Sequence, residues 1–450
     1  MTSPRPSRGS GRPHSDDSRR GTPRRNPRPP RAAAPADLPL VEVEVGPVAH
    51  GGHCVARHEG RVIFVRHALP GERVRVRLVQ AGEKDRFWRG DAVEVLDASP
   101  DRVAAAWPEA GPGGVGGGEL SHVALPAQRA WKATVVAEQL ARIARLDRDV
   151  TVEAAPGDDE RGGLGWRTRI DLVADDEGRA GMVGHRSHDV HALRSMPLAT
   201  AEVAALARAE GVFSRRWRPG SRLELVAPAG GGPGLLLVDG VPGHLGVPDQ
   251  RPNARRTVVE TVAVGGREYV YRVAADGFWQ VHREAPGLLA SVVLDAVGDV
   301  DGGRVVDLFS GAGLFSAPLA DAVGAAGRVV TVEGDERAVR DARRALHGAS
   351  HVELHVGDVA QVLASGEHGA SGGADVVVLD PPRAGAGRRV LDAVVALAPR
   401  RVVHVACDPA SLARDVGLLG EGGYVLTGLR ALDLFPMTHH VECVAVLDRA

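Results

Sequence analysis

The chain has 450 residues, of which 44% are hydrophobic and 25% charged, values typical of a globular protein with two or three domains. No apolar run of about 18 residues occurs, so a membrane-spanning helix is not predicted, and the arginine-rich start lacks the apolar stretch of a signal peptide. Three cysteines are too few and too scattered for a disulfide framework, so we expect a cytoplasmic protein.

The basic charge is concentrated at the amino-terminal end. Residues 1–31 contain nine arginines and two aspartates, whereas the whole chain has a net charge of −2. Of the 55 basic residues only Lys84 and Lys132 are lysine, a bias typical of a GC-rich genome, so the arginine excess alone is poor evidence for RNA binding. Residues 1–36 lack apolar periodicity. We predict a disordered basic tail that either solubilises the protein or binds nucleic-acid phosphates.

Residues 37–100 are predicted to form a small β-barrel. Short β-like runs such as RVIFVRHA and RVRVRLVQA are separated by glycine-containing turns. Their polar positions carry several arginines, and Phe87 and Trp88 stand between Arg86 and Arg89. Arginines beside exposed aromatic rings suit single-stranded nucleic acid, although either ring could equally belong to the barrel core.

One cluster in this barrel contains potential metal ligands: His50, His53, Cys54 and His58. The run HGGHCVAR has the composition of a glycine-rich turn, and no second ligand pair follows at zinc-finger spacing. We therefore expect no metal site in this protein.

Residues 101–262 are predicted to form a middle domain of the α+β type. A glycine-rich loop at 108–118 precedes an amphipathic helix over about 126–146, and Pro126 suits its first position. We expect this helix to pack on the C-terminal domain. Short strands and Gly/Pro turns follow it, and their spacing alone indicates no chemistry.

Residues 263–450 have the strand–helix alternation of an open, mostly parallel sheet. Apolar β-branched runs such as RVVDLFS, RVVTVEG and DVVVLDPP alternate with helical stretches. The predicted fold class is therefore α/β, with a Rossmann-like C-terminal domain behind the barrel and the middle domain. Ligands bind beyond the carboxyl ends of such strands. Four polar side chains occupy those ends: Glu333, Asp358, Asp380 and Cys407.

Cys407 is a candidate nucleophile because of its position. Free cysteines are usually small buried hydrophobic residues, and Cys443, in an apolar strand, fits that description. Cys407 instead precedes the helix PASLARDV, whose amino-terminal end is expected to lower the pKa of the thiol. It also shares its sheet edge with Asp380.

Several motifs in the same order resemble one family: S-adenosylmethionine-dependent RNA 5-methyluridine methyltransferases with an N-terminal RNA-binding TRAM domain. Residues 38–97 resemble the TRAM barrel, and FWQV, DLFSGAGLFS, CDPASLARD and FPMTHHVECVAVL resemble the family's cofactor, nucleophile and terminal motifs. The resemblance implies a nucleophile at Cys407 and a general base at Glu442. It implies S-adenosylmethionine contacts at Gln280, Phe309, Glu333, Asp358 and Asp380.

The chain departs from the family's pattern at several positions. Many relatives hold an iron–sulfur cluster with four cysteines, and the corresponding positions here are Trp107, Val115, Gly118 and Met196. We therefore expect no iron–sulfur cluster, because none of these residues supplies a thiolate. His282 and Leu314 stand where the family often has asparagine.

The resemblance implies methylation of carbon 5 of a uridine in rRNA or tRNA through a covalent cysteine adduct. The target base must leave its stack, so single-stranded or loop RNA is the expected substrate. We expect a monomer without a membrane partner. Two alternatives stay open: a catalytically silent RNA-binding protein, and a nicotinamide-dependent oxidoreductase, against which the strand ends DPPR and CDP argue.

Overall fold

The computed structural model describes residues 40–185, 187–365 and 373–450. The predicted basic tail at 1–36 lies outside these residues. In the described part of the chain we find no helix with both the length and the apolar character that crossing a bilayer requires.

The first five strands close a barrel in the order β1-β2-β3-β5-β4, which confirms the predicted small barrel. Apolar and polar side chains alternate along the strands, so one face fills the barrel and the other meets water. The strands are β1 (Leu40–Ala49), β2 (His53–His58), β3 (Arg61–Arg66), β4 (Arg73–Gln80) and β5 (Trp88–Asp97). Strand β2 was not predicted: its residues were interpreted as a turn, but only the segment 50–52 turns, and Cys54 and Ala56 face the core.

The middle of the chain contains the predicted helix and a seven-stranded antiparallel sheet of order β13-β12-β11-β10-β7-β8-β9. Helix α1 (Leu125–Gln139) continues as one π-helical turn (Leu140–Ala144), and α2 (Ala201–Ala209) is capped by Thr200. A short strand, β6 (Val152–Ala154), leaves this part of the chain and joins the C-terminal sheet. The sheet consists of β7 (Arg169–Ala174), β8 (Ala180–Val183), β9 (Val190–Ala192), β10 (Arg222–Val226), β11 (Leu235–Val238), β12 (Val241–His244) and β13 (Val247–Pro248).

A two-stranded hairpin, β14 (Thr257–Val264) and β15 (Arg267–Ala274), leads into the C-terminal sheet of order β18-β17-β16-β19-β20-β22-β21-β6. The predicted parallel sheet is confirmed for β16 to β20, and β22 runs antiparallel to both β20 and β21. Its remaining strands are β16 (Arg304–Leu308), β17 (Arg328–Glu333), β18 (Val352–Val356), β19 (Val376–Leu379), β20 (Arg401–Ala406), β21 (Tyr424–Asp433) and β22 (Glu442–Arg449).

Helices cover both faces of this sheet, so its central strands are buried on both sides, as their continuous apolar runs require. The described helices of this region are α3 (Ala285–Val297), α4 (Ser316–Val323), α5 (Glu336–Ala345), α6 (Val359–Ser365), α7 (Gly387–Ala396) and α8 (Pro409–Glu421). Helix α1 shares the core between α8 and the sheet through Val136 and Leu140. The domain boundaries at residues 100 and 262 stay predictions.

Candidate active site

Five of the predicted site residues lie at one edge of the C-terminal sheet. Strands β16 to β20 are parallel, so their carboxyl ends meet there and bring together Phe309, Glu333, Asp358, Asp380 and Cys407. Because β22 is antiparallel, its first residue, Glu442, reaches the same edge. The topology therefore gathers residues that are up to 133 positions apart in the chain.

The turn after β16 is held in place by Glu333. One oxygen of its carboxylate, Oε2, accepts a hydrogen bond from the amide of Gly311 at 2.9 Å, and Oε1 accepts one from Asp335 at 2.8 Å. Phe309 has a φ of 60° and donates its amide to the carbonyl of Val332 at 2.9 Å. The positive φ of Phe309 marks a strained backbone position, of the kind that is common at ligand-binding sites.

Asp358 is exposed at the start of α6, where its Oδ1 accepts a hydrogen bond from the amide of Gln361 at 3.0 Å. Gln280 lies in the segment between β15 and α3 and is half-buried. That segment is anchored beside Gln280, since Trp279 packs against Tyr271 with ring centroids 5.1 Å apart and the carbonyl of Val281 accepts a hydrogen bond from Thr168.

Three carboxyl groups lie close together behind this edge: Asp307, Glu333 and Asp380. Burial raises the pKa of Asp307 to about 7, and the charge of Glu333 adds to the effect. Burial also raises the pKa of Asp380, with further contributions from Asp307 and Glu333. Ser316 donates a hydrogen bond to Asp307 Oδ2, whereas Asp307 Oδ1 is buried without a hydrogen-bond partner among the described residues. Crowded carboxylates of this kind favour a bound cation.

Sequence analysis did not assign Asp307 to the site. The available signal was an aspartate inside the otherwise apolar strand RVVDL, where a buried acid needs a reason.

Cys407 and Glu442 occupy neighbouring positions across two strands. Ala406, the last residue of β20, pairs with Cys443 on the antiparallel strand β22. Cys407 comes directly after Ala406, and Glu442 comes directly before Cys443, so the two residues lie side by side. Cys407 is half-buried, and Glu442 is 4% exposed. The two groups interact electrostatically, because the charge of Glu442 raises the pKa of the Cys407 thiol.

The expected lowering of the Cys407 pKa was wrong. Burial, followed by the carboxyl groups of Glu442 and Asp380, raises the pKa of the thiol to about 11. Helix α8 does begin two residues after Cys407, at Pro409, and the charge of Arg383 lowers the pKa of the thiol. Desolvation and the two nearby acids outweigh both effects.

The pKa of Glu442 is also raised well above the usual range. Burial is the main cause, the charge of Asp380 is the second, and Arg383 opposes both. Cys443 is buried in the sheet, as the sequence predicts, and burial raises the pKa of its thiol.

The turn between β1 and β2 of the barrel reaches this site. His50 Nε2 lies 3.1 Å from Asp408 Oδ2, next in the chain to Cys407. Asp408 also caps α8 by accepting a hydrogen bond from the amide of Ser411 at 2.8 Å. Although burial opposes it, the contact with His50 helps to lower the pKa of Asp408 to about 2. Sequence analysis considered His50 only as a metal ligand. Within the described residues, no group of three or more His, Cys, Asp or Glu side chains is arranged to hold a metal ion.

The loop 434–441, which leads from β21 to Glu442, is held by buried polar contacts from α1. Lys132 Nζ donates to Asp433 Oδ1 at 2.5 Å and to the carbonyl of Phe435 at 3.0 Å. Gln128 accepts a hydrogen bond from the amide of Met437 at 2.8 Å. These contacts fix the segment that delivers Glu442 to the sheet edge.

The four positions that the family resemblance assigns to cluster cysteines lie in or against one apolar core. Trp107, Val115 and Met196 are buried in one core. Gly118 lies against Trp107, since a Cβ at Gly118 would stand 2.6 Å from the indole ring.

His282 and Leu314, the other departures from the family's pattern, are both buried. His282 Nε2 lies 3.0 Å from Asp158 Oδ2, and the imidazole stacks on Trp166 with ring centroids 5.6 Å apart.

Comparisons with known proteins agree with this architecture. Sequence models match the TRAM domain at residues 40–93, the tRNA (uracil-5-)-methyltransferase family at 371–450 and the protein-L-isoaspartate O-methyltransferase family at 269–370. A solved structure, the Pyrococcus abyssi tRNA (uracil-54, C5)-methyltransferase in complex with S-adenosyl-L-homocysteine, matches with a TM-score of 0.65 and 22% identity. The match covers 90% of this chain and 100% of that chain, and it shows that the two share a fold.

Two bacterial relatives are more similar in sequence. An RNA methyltransferase of Streptomyces avermitilis is 43% identical over 441 residues, covering 91% of this chain and 98% of the relative. An RNA methyltransferase of Bifidobacterium longum is 42% identical over 433 residues, covering 93% and 99%.

The two relatives therefore define the class of this protein as an RNA methyltransferase, and its fold is that of the solved methyltransferase. The chain belongs to the family of bacterial RNA methyltransferases that these relatives represent, and it carries a TRAM domain, which agrees with the family predicted from the motifs. Membership of this family indicates an RNA substrate and favours methyl transfer over the oxidoreductase alternative.

Proposed function

We propose that the protein methylates carbon 5 of a uridine in rRNA or tRNA, with Cys407 as covalent nucleophile and Glu442 as general base. The observation that carries the proposal is that Cys407 and Glu442 directly flank the paired residues Ala406 and Cys443, at the end of β20 and the start of β22. A thiol and a buried carboxyl at adjacent positions suit a reaction that needs both a nucleophile and a proton acceptor. The uracil-5 chemistry of the matched family supports the same substrate atom.

Carbon 5 of uracil is too weak a nucleophile to take a methyl group unaided. The thiolate of Cys407 adds to carbon 6, and the electron pair of the C5–C6 double bond moves into an enolate that activates carbon 5. A base that is still stacked in a helix cannot be reached by Cys407, so the target uridine must be unstacked.

Carbon 5 would next take the methyl group that S-adenosylmethionine supplies, with the S–CH3 bond breaking to leave S-adenosylhomocysteine, and the carboxylate of Glu442 would then remove the proton from the methylated carbon 5. The C–H electron pair restores the C5–C6 double bond, and the bond from carbon 6 to Cys407 breaks to release the thiolate. Burial beside Asp380 raises the pKa of Glu442, which makes its deprotonated form a stronger base than an exposed glutamate.

The cluster of Asp307, Glu333 and Asp380 suits a cationic cofactor. Each of the two aspartates has a raised pKa, and the buried Asp307 Oδ1 lacks a partner in the described part of the chain, so a positive group nearby would relieve the repulsion. S-adenosylmethionine carries a sulfonium and supplies the methyl group when bound. We propose that it is held by Gln280, Phe309, Glu333, Asp358 and Asp380.

The direct test of this function compares RNA nucleosides from cells with and without the protein by mass spectrometry. We expect 5-methyluridine to disappear from one position of rRNA or tRNA when the protein is removed. Unchanged 5-methyluridine, with another methylated nucleoside lost, would contradict the proposal. We further propose that the enzyme acts in the cytoplasm and that it is a monomer.

Cys407→Ala tests the nucleophile in the purified enzyme. Methyl transfer should fall below about a hundredth of the wild-type rate, because no other thiol reaches the base. Binding of S-adenosylmethionine, measured by calorimetry, should stay nearly unchanged. Cys54→Ala, in the barrel core, is the matched control and should keep its activity. Substantial turnover of Cys407→Ala would show that another group attacks the base.

A further inference from the structure

A cavity of about 510 Å³ lies between the barrel and the β8–β9 hairpin, outside the sheet edge described above. The barrel contributes His53, Phe64, Arg66 and Arg89, and the hairpin contributes His185 among others. The volume falls in the range of sites that take small organic groups. The methyltransferase chemistry described above uses none of these residues.

One wall of the cavity is aromatic. The rings of His53 and Phe64 lie 6.0 Å apart, and Phe64 meets Phe87 edge to face at 5.2 Å. Phe64 is only partly buried, so its ring borders the cavity while it packs on the barrel. An aromatic ring at a cavity wall is the group on which an unstacked nucleobase packs.

The same cavity carries guanidinium groups. Arg89 stacks over Phe87 at 4.5 Å and donates to Gln80 at 2.5 Å, which holds its charge at the cavity. Arg66 is a second lining guanidinium. Asp91 also lines the cavity, and its Oδ2 accepts a hydrogen bond from the amide of Gly113 at 3.3 Å. The cavity therefore combines a carboxylate with guanidinium groups, which have several N–H donors and can add a phosphate contact to those they already make.

The position of the cavity ties it to the methyl-transfer site. His50 contacts Asp408, the neighbour of Cys407, and His53, the first residue of β2 after the turn at residues 50–52, lines the cavity. The turn packs closely on the loop that leads to Glu442, since a Cβ at Gly52 would lie 3.2 Å from His439 Cβ. The turn at residues 50–52 therefore lies between the cavity and the methyl-transfer site.

We propose that this cavity binds a second, unstacked nucleotide of the RNA substrate, with its base on Phe64 and its phosphate towards Arg89. The proposal rests on the proposed function, because it places this nucleotide on the strand that carries the target uridine. Binding there orients the RNA so that the target base enters the site at Cys407. The cavity is thus a site of substrate recognition and takes no part in the chemistry.

The test measures binding and catalysis separately for Arg89→Ala and Phe64→Leu, with Arg77→Ala as the matched control. Arg77 is exposed on β4 of the same barrel and does not line the cavity. The binding probe is total RNA from cells that lack the protein, retained on filters at several salt concentrations. Kinetics of methyl transfer to the same RNA and calorimetry of S-adenosylmethionine binding complete the set.

We expect Arg89→Ala to raise the Kd for RNA about fivefold and to lower the slope of log Kd against log salt by about one, as the loss of one phosphate contact does. Phe64→Leu should raise the Kd about tenfold through lost stacking. Both variants should raise the KM for RNA with kcat and cofactor binding unchanged, and Arg77→Ala should resemble the wild type.

RNA binding by both cavity variants at the level of Arg77→Ala would overturn the proposal. Competition by a free nucleoside monophosphate at micromolar concentration would also overturn it, because the cavity would then be a site for a free nucleotide. If the wild type binds RNA but methylates no uridine, the proposed function fails, and the binding comparison still decides the role of the cavity.

Discussion

At the scale of single residues, the ionisation of Cys407 is the property with the clearest consequence. Its pKa is raised to about 11, mainly by burial and then by Glu442 and Asp380, so the thiol is protonated at neutral pH in the ligand-free protein. A raised thiol pKa means that the reactive thiolate fraction grows with pH up to that value. A bound cation near Asp380 would reduce the opposing negative charge and favour the thiolate.

We therefore predict that alkylation of Cys407 by iodoacetamide accelerates about tenfold per pH unit between pH 7 and 10. Mass spectrometry of the labelled peptide measures the rate, and Cys407→Ser gives the background from the two buried cysteines. A rate that levels off below pH 8 would contradict the raised pKa and would restore the influence of the helix start as the dominant effect.

At the scale of elements, helix α1 stabilises the loop 434–441, which leads to Glu442 at the sheet edge. Lys132 is one of only two lysines in the chain, and both it and Asp433 are buried, with side-chain exposures of 0% and 1%. A buried ion pair with one partner removed leaves an uncompensated charge, which costs far more than the loss of a surface pair.

Lys132→Met is predicted to destabilise the protein by about 3–5 kcal/mol. Arg129→Ala, which breaks the more exposed pair with Asp159 on the same helix, should cost about 1 kcal/mol or less. The midpoint of urea unfolding compares the two variants. Equal midpoints would show that Lys132 is not a structural tie and that another contact holds the loop.

A second element-scale prediction concerns the apolar contact of Trp107, Val115, Gly118 and Met196. We expect the purified protein to be colourless, to contain no stoichiometric iron and to keep its Tm in the presence of a chelator, because packing replaces a metal tie here. Trp107→Ala should lower the Tm with or without chelator, since it empties a fully buried site. A brown preparation with several irons per chain would contradict the assignment of these four positions.

At the scale of the whole molecule, the sequence predicts the elements and the sheet edge well but not the contacts between distant parts. The apolar β-branched runs identify the strands of the C-terminal sheet, and residues at their ends meet because parallel strands share an edge. The strand β2 was not predicted because its histidines and the two glycines just before it, Gly51 and Gly52, resemble a turn.

The contacts that complete the site are long-range and leave no local pattern. His50 reaches Asp408 across more than 350 positions, and Lys132 reaches Asp433 across about 300. The pKa of Cys407 is raised mainly by burial and then by two acids that the fold brings in, Asp380 after β19 and Glu442 at the start of β22. The position of Cys407 before a helix does not predict this raised pKa, because desolvation is a property of the packed protein.

The central claim is that the reaction passes through a covalent bond from Cys407 to the RNA, which Glu442 helps to resolve. The most direct measurement uses Glu442→Gln with RNA and S-adenosylmethionine, analysed on a denaturing gel and by mass spectrometry. Without the base, methylation proceeds but elimination stops, so we predict a denaturation-resistant complex whose crosslinked peptide contains Cys407 and a methylated uridine. The double variant that adds Cys407→Ala should form no complex. Normal release of 5-methyluridine by Glu442→Gln, with no shifted species on the gel, would contradict the account.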